Sequence, residues 1–184
     1  MSLRSFLAEM HKKDQIVEIK EEVSPRFEIS SILEDCDDGP IFYFDAVERY
    51  ETKIVAGVCG TRQRICWALD VDAENLYQRL INAWQTSTQP KVVKNGPVNE
   101  VVEKARLSKI PILTHFERDA GPYITSGIVS ARSLDGKIEN VSFHRLQVLD
   151  DRHLAIRLVP RHLFKLWQMA KEQKGSLDVA ITIG

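Results

Sequence analysis

Polar side chains recur at every second position of one predicted strand, as Asn140, Ser142 and His144. Alternate residues of a strand face opposite sides, so these three share one face and Arg145 lies on the other. A polar group that is buried without a partner costs roughly 1–3 kcal/mol, so each must meet water or a hydrogen bond. Two interpretations follow: a solvated strand face, which the pattern alone favours, or a polar functional site.

A second group of candidates follows Pro160, where Arg161 and His162 open a predicted helix. The first turn of a helix presents free N–H groups and the positive end of the helix dipole, which favour a phosphate. The same two residues also fit an ordinary exposed first turn, and the pattern alone favours that interpretation. His115 and His153 are predicted to be structural or exposed residues and not ligands.

Other motifs exclude several classes of protein. The segment 57–61 precedes a helix but fits neither the Walker A nor the dinucleotide-binding spacing. The three cysteines, Cys36, Cys59 and Cys66, form no C-x-x-C pair, which argues against a disulfide framework and a thiolate zinc site. A reducing compartment, the cytoplasm, is therefore predicted.

Composition sets further limits. The formal net charge of −1 gives no basic excess that would indicate nucleic acid as a partner. The N-terminus has no apolar core of a signal peptide, and no apolar run approaches the roughly 20 residues of a membrane helix. With 184 residues, the chain can form one domain with a sizeable core or two small ones.

The first part of the chain alternates predicted strands and helices, which indicates a small α/β layer, assigned to residues 1–90. Strands are predicted over 16–23, 41–44 and 54–58. Helices are predicted from Leu3 with Ser2 as N-cap, over 29–33, from Thr61 to Leu69, and after an Asp72 cap. The last of these helices carries an apolar face made of Leu76, Leu80, Ile81 and Trp84.

The second part changes character after a polar segment over 85–97, and it is assigned to residues 91–184. Strands are predicted over 123–131, 137–148 and 152–159, with a hairpin turn at 133–136. A helix is predicted from Pro160 to Gly175, followed by a strand over 177–183. An antiparallel meander of this kind favours a sheet or a barrel, so the fold class is α+β.

Seven segments, taken in order, carry a resemblance to a known family: Leu3–Leu7, Ile16–Val23, Gly39–Phe44, Gly60–Arg62, Asp119–Gly127, Asn140–Arg145 and Arg157–His162. Together they resemble the UbiD family of reversible decarboxylases. The resemblance covers nearly the whole chain, and it rests on the order and spacing of the segments and not on any single motif.

The resemblance implies a fold, a reaction and cofactors. The expected fold is a small N-terminal α/β layer followed by an antiparallel, incomplete split β-barrel of the flavin-binding type. The expected cofactor is prenylated FMN, with Mn²⁺ or Mg²⁺ at its phosphate and, often in the family, K⁺ nearby. The expected reaction is decarboxylation of an unsaturated or aromatic carboxylic acid, in which the flavin-derived ring performs the difficult electronic step.

The resemblance also assigns residues. Asn140 and His162 match metal ligands, and Arg145 matches the active-site arginine. The residues expected to contact the cofactor are Ser142, Phe143, His144, Arg145, Arg157, Leu158, Val159, Arg161 and His162.

The residue types suit these roles. The amide oxygen of Asn140 is a hard ligand for Mg²⁺ or Mn²⁺, and Arg161 together with the metal could neutralise a phosphate. The planar guanidinium of Arg145 could orient a carboxylate. Asn140 and Arg145 are five residues apart, so their strand is expected to bulge or twist if both contact one cofactor.

This sequence departs from the family pattern because the catalytic glutamates lie in segments beyond those that match. Glu117 and Glu139 do not stand at the matching positions. A deliberately shortened chain, a truncated gene product and a small subunit completed by a second chain would each explain this. The isolated chain is expected to be inactive, and a homo-oligomer or a completing subunit is expected. The alternative function is a non-catalytic module that binds a flavin phosphate or a partner.

Overall fold

The chain forms two compact units in a computed structural model that describes residues 2–36, 38–86, 88, 91–173 and 175–183. The first unit comprises Met1–Val23 and Ile32–Ala105, and the second comprises Ser24–Ser31 and Arg106–Gly184. The fold is of the mixed α+β class, as predicted. The boundary between residues 90 and 91 stays a prediction.

A three-stranded sheet in the order β1-β2-β3 forms the centre of the first unit. Strand β1 (Ile16–Val23) runs parallel to β2 (Ile41–Val47), and β3 (Ile54–Ala56) runs antiparallel to β2. A parallel pair needs a crossover connection, and helix α2 (Glu28–Glu34) lies between these two strands in the chain. The predicted alternation of strands and helices is confirmed.

Helices α1 (Leu3–Lys12), α3 (Arg62–Leu69) and α4 (Leu76–Gln85) complete the helices of this half of the chain. The hydroxyls of Ser2 and Thr61 accept the predicted N-terminal hydrogen bonds of α1 and α3, each at 3.2 Å.

The predicted cap of α4 is wrong, because Asn75 and not Asp72 precedes its first turn. The Asn75 N–H donates to the Asp72 carbonyl at 3.0 Å, so Asp72 belongs to the preceding turn. The predicted apolar face of α4 is largely exposed, with Trp84 87% accessible. No helix within the described ranges is both long and apolar enough to cross a membrane.

The second unit contains a four-stranded antiparallel sheet in the order β6-β5-β4-β7. The predicted meander is confirmed. Its strands are β4 (Tyr123–Arg132), β5 (Glu139–Val148), β6 (Leu154–Ile156) and β7 (Val179–Thr182). Strand β6 is shorter than predicted, because it pairs with β5 only at residues 146–148.

Helix α5 (His162–Glu172) follows β6, with Arg161 as its N-cap. Pro160 therefore lies just before the cap and not in the first helical position. Leu163 and Leu166 of this helix are buried together with Leu146 of β5 in one apolar cluster. This packing seats α5 against the face of the sheet that carries Leu146.

The β4–β5 hairpin turns where the sequence predicts. The Gly136 N–H donates to the Ser133 carbonyl at 2.8 Å, and Gly136 adopts a positive φ of 74° that favours glycine. Asp135 accepts hydrogen bonds from the Ser133 hydroxyl at 2.6 Å and from the Lys137 N–H at 3.2 Å. The Ser133 hydroxyl is the leading cause of a lowered pKa of the Asp135 carboxyl.

The turn between β5 and β6 is held by two carboxylates. Asp151 accepts the Ser108 N–H at 2.9 Å, and Asp150 accepts the Arg152 N–H at 2.8 Å. Hydrogen bonding to Ser108 lowers the pKa of Asp151, and the Arg152 backbone N–H followed by the His153 side chain lowers the pKa of Asp150.

This turn is expected to loosen in acid. A carboxyl whose pKa is lowered by folding stabilises the fold above its unfolded pKa of about 4, and that stabilisation is lost as the pH falls through the lower folded value. Amide exchange measured by NMR between neutral pH and pH 2 should show the N–H groups of Ser108 and Arg152 losing protection in that acid range. In Asp151→Asn, protection at Ser108 should depend much less on pH, and an unchanged profile would contradict the assignment.

Candidate functional site

Strand β5 carries its polar residues on the inner face of the sheet. Asn140, Ser142 and His144 are half-buried and share a face with Leu146, which is 2% exposed. Val141 and Phe143, on the opposite face, are 68% and 73% exposed. An ordinary one-sided sheet has the reverse arrangement, with apolar residues inside and polar residues outside. The polar face of β5 is therefore not simply its solvated face.

The three polar side chains are joined by hydrogen bonds along the strand. The Asn140 Nδ2 donates to the Ser142 Oγ at 2.9 Å, and the Ser142 Oγ lies 2.9 Å from the His144 Nε2. We call this set the polar ladder. Because the Asn140 Nδ2 donates within the ladder, the Oδ1 atom of the same carboxamide takes no part in that hydrogen bond.

The polar ladder opens into a cavity of ≈ 420 Å³, which we call the Asn140 cavity. Arg161 and His162 line it from the start of α5, together with Val159. The N-cap residue Arg161 makes no side-chain hydrogen bond to the first turn of α5. The N-terminal N–H groups of the helix thus lack the usual side-chain cap at the wall of this cavity.

Arg145 faces a different cavity, of ≈ 640 Å³, which we call the Arg145 cavity. It is shared with Arg157, and neither arginine forms an ion pair with any part of the chain that the structure describes. Leu158 lies in neither cavity, because it lines an apolar cleft with Leu146 and Leu163. The sequence-predicted site residues are therefore divided among three places.

A bulge or twist between Asn140 and Arg145 is expected only if both contact one cofactor, and that contact stays a prediction. Strand β5 itself alternates regularly through this range and carries no extra residue. The irregularity lies in β4, where Ile124 pairs with Leu146 and Gly127 pairs with His144, so β4 carries one extra residue. A Cβ at Gly127 would approach Ile124 Cγ2 to 3.1 Å and Leu146 Cδ1 to 3.2 Å. The backbone of β4 is thus closely packed opposite the polar ladder.

Without a bulge in β5, a ligand could still contact both faces of this strand by lying at its edge. Strand β6 pairs with residues 146–148 alone, so residues 139–145 are paired only on the β4 side within the described chain. The Asn140 cavity is lined by the inner face and also by Val141 and Phe143 of the outer face. This cavity therefore wraps around the open edge of the strand.

Sequence reasoning missed His115 as a lining residue of the Arg145 cavity. Its Nδ1 lies 3.2 Å from the Ser30 Oγ, in a segment 85 positions earlier in the chain. Asp119 also lines this cavity, and its Oδ2 accepts the Phe116 N–H at 3.1 Å. Nothing in the local pattern around His115 predicts a partner so far away.

The donor atoms of the Asn140 cavity suit part of a hard-cation and phosphate site. An amide oxygen, an imidazole and a guanidinium meet there, on Asn140, His162 and Arg161. Two protein ligands leave most positions of an octahedral Mg²⁺ or Mn²⁺ free for phosphate oxygens and water. Among the described residues, no three His, Cys, Asp or Glu side chains form a metal-binding group of their own.

Comparison with known proteins gives a consistent result. Residues 91–184 match the 3-octaprenyl-4-hydroxybenzoate carboxy-lyase Rift-related domain of the UbiD family, and residues 7–84 match the N-terminal domain of the same family. The anhydromevalonate phosphate decarboxylase of Methanothermobacter thermautotrophicus is 35% identical over 99% of this chain and 42% of its own length.

Two solved structures are similar throughout the chain. The UbiD-class enzyme HmfF from Pelotomaculum thermopropionicum, in complex with FMN, has 35% identity and a TM-score of 0.95 over 100% of this chain and 42% of its own. An evolved dimeric form of HmfF in complex with prFMN gives the same identity and TM-score over 100% and 44%. The chain spans about two fifths of the length of these relatives. From its sequence and its fold, this chain belongs to the UbiD family.

Proposed function

We propose that this chain provides the cofactor-phosphate and metal-binding part of a prenylated-FMN-dependent decarboxylase. The observation that carries the proposal is the Asn140 cavity, where the polar ladder meets Arg161 and His162. Polar residues on the inner face of a sheet are costly unless they are paired or used, and here they lie beside an uncapped helix start. The proposed cofactor is supported by the FMN and prFMN complexes of HmfF.

Each group in the cavity has a distinct task in this proposal. Asn140 Oδ1 and the His162 imidazole hold Mn²⁺ or Mg²⁺, and Arg161 with the first N–H groups of α5 binds the phosphate. Ser142, Phe143, His144 and Val159 form the wall beside the open edge of β5. When bound, the prenylated flavin supplies the electron sink that decarboxylation requires.

The Arg145 cavity is proposed to hold the substrate side of the site. The guanidinium of Arg145 orients a carboxylate, and Arg157 adds a second positive charge to the same space. The substrate is an unsaturated or aromatic carboxylic acid, and the name of the Methanothermobacter relative favours an unsaturated aliphatic one. Leu158 lines the separate apolar cleft, together with Leu146 and Leu163.

The chain alone is proposed to be inactive. Decarboxylation ends with delivery of a proton to carbon, which needs a positioned acid. Among the residues that the structure describes, Asp119 is the one carboxyl group lining either cavity, and its Oδ2 accepts a hydrogen bond from the Phe116 N–H. The proton donor and the closing part of the split barrel are proposed to lie outside residues 1–184, and association with the part that carries them would complete the site. The exposed Phe143 and Val141 support such an association.

Ultraviolet–visible spectra test this proposal on protein made together with the enzyme that prenylates FMN. The purified chain should carry a flavin band that is retained with Mn²⁺ and lost on chelation with EDTA. It should release no CO₂ from a panel of unsaturated and aromatic acids, and light scattering on the same sample reports its association. Absence of the band in every preparation, with FMN also unbound in titration, would remove the cofactor proposal, and CO₂ release by the monomer would remove the proposed inactivity.

A further inference from the structure

The first hydrogen bond of the polar ladder has a fixed direction, and the second takes its direction from the tautomer of His144. The Asn140 Nδ2 can only donate, so the Ser142 oxygen is the acceptor of the first bond. The Ser142 hydroxyl has one proton, and the His144 Nε2 at 2.9 Å accepts it when the imidazole carries its own proton on Nδ1. The chain then runs in one sense, from amide N–H through hydroxyl to imidazole.

The direction of the first hydrogen bond fixes the orientation of the Asn140 carboxamide, at the end of the ladder away from His144. The terminal torsion of an asparagine is broad and roughly two-fold, so the amide nitrogen and oxygen of an unrestrained Asn140 would exchange places. Committing Nδ2 to Ser142 selects the orientation in which Oδ1 is at the opposite side of the carboxamide. Only that oxygen is a ligand for a hard cation, because the amide nitrogen has no available lone pair.

The opposite strand does not compete for these bonds. The residues of β4 paired with His144, Ser142 and Asn140 are Gly127, Val129 and Ala131, none of which has a polar side chain. The Ser142 hydroxyl is half-buried between the other two members, so replacing either neighbour leaves it without that partner.

We propose that His144 is a positioning residue which, through Ser142, holds the carboxamide of Asn140 with Oδ1 directed to the metal. This inference rests on the proposed function, in which Asn140 is a metal ligand. His144 itself contacts neither the metal nor Asn140 in this role. Its contribution is the orientation of a ligand two steps away along the same strand face.

NMR of the ¹⁵N-labelled chain tests the positioning directly. Without metal, Ser142→Ala and His144→Ala should each shift and broaden the side-chain amide signal of Asn140. Mn²⁺ titration, followed by paramagnetic broadening of that signal, should show affinity falling about 5-fold, the effect of one hydrogen bond of roughly 1 kcal/mol. His144→Gln should restore both readouts, since its amide oxygen can accept the Ser142 proton, and the exposed His11→Ala should change neither.

The outcomes separate this inference from the proposed function. An Asn140 amide signal that is unchanged in His144→Ala would overturn the positioning role, and so would an altered signal with unchanged Mn²⁺ affinity. Failure of Mn²⁺ to broaden Asn140 in the unsubstituted chain would instead remove the metal assignment. An Asn140 signal that changes in Ser142→Ala and His144→Ala, together with weaker Mn²⁺ binding that His144→Gln restores, would support both the positioning role and the metal assignment.

Discussion

Replacing Asn140 by alanine is expected to abolish the metal-dependent binding of FMN by this chain. Asn140 offers the hard oxygen of the Asn140 cavity, and alanine removes both that ligand and the donor to Ser142. Loss of residues that merely support a metal ligand costs about 10–100-fold in affinity, so loss of a ligand should cost no less. The measurement is the quenching of FMN fluorescence on titration with protein, with Mn²⁺ present or chelated.

The matched control is Asn99→Ala, because Asn99 is an exposed asparagine in the segment Pro97–Asn99, outside the polar ladder. This variant should bind FMN as the unsubstituted chain does. In Asn140→Ala, the affinity for FMN should be the same in the Mn²⁺ and EDTA samples, even if some binding of FMN remains. Equal Mn²⁺-dependent affinity in Asn140→Ala and the unsubstituted chain would rule out Asn140 as a ligand.

Leu163→Ala is expected to give the largest loss of stability in the second unit. Leu163 is 5% exposed, packs in one apolar cluster with Leu146 and Leu166, and also lines the Asn140 cavity. Truncating a buried leucine to alanine costs about 2–5 kcal/mol of unfolding free energy, depending on how far the site collapses. The same change loosens the first turn of α5, so the affinity for FMN should fall as well.

Leu149→Ala provides the comparison for this variant, since Leu149 is 59% exposed in the turn after β5. Urea unfolding followed by circular dichroism should place Leu149→Ala within about 0.5 kcal/mol of the unsubstituted chain. The thermodynamic and binding effects should appear together in Leu163→Ala. A variant as stable as Leu149→Ala would show that the start of α5 is not held by this leucine.

Much of the secondary structure follows from local patterns. Alternation predicts β4 and β5, and the Ser133–Gly136 turn has the residue types that a hairpin needs. Local patterns fail where a nearby hydrogen bond competes, as at Asp72, whose carbonyl accepts the Asn75 N–H instead of its side chain capping α4. The length of β6 is not predicted by its own pattern either, since it pairs with β5 at residues 146–148 alone although residues 139–145 of β5 are open on that side.

The arrangement of the candidate site follows less directly from the sequence than the secondary structure does. Alternation divides the side chains of β5 correctly between two faces, but it does not say which face is inside. That choice is made by α5, whose Leu163 and Leu166 pack on the side of Leu146 and so bring the polar ladder inward. The open edge of β5 depends on the three-residue length of β6, and the pattern within β5 carries no signal of it.

The short segment Ser24–Ser31 belongs to the second unit although it precedes most of the first in the chain. The Phe27 N–H donates to the Thr114 carbonyl at 2.9 Å, the Thr114 N–H donates to the Pro25 carbonyl at 3.1 Å, and Ser30 contacts His115. Closing a loop of this length costs more entropy than closing the β4–β5 hairpin, so these contacts are expected to form later in folding than the hairpin. We therefore expect a newly made chain to form the polar ladder first, from neighbouring residues, and to complete the wall of the Arg145 cavity only after the distant segment Ser24–Ser31 has joined it.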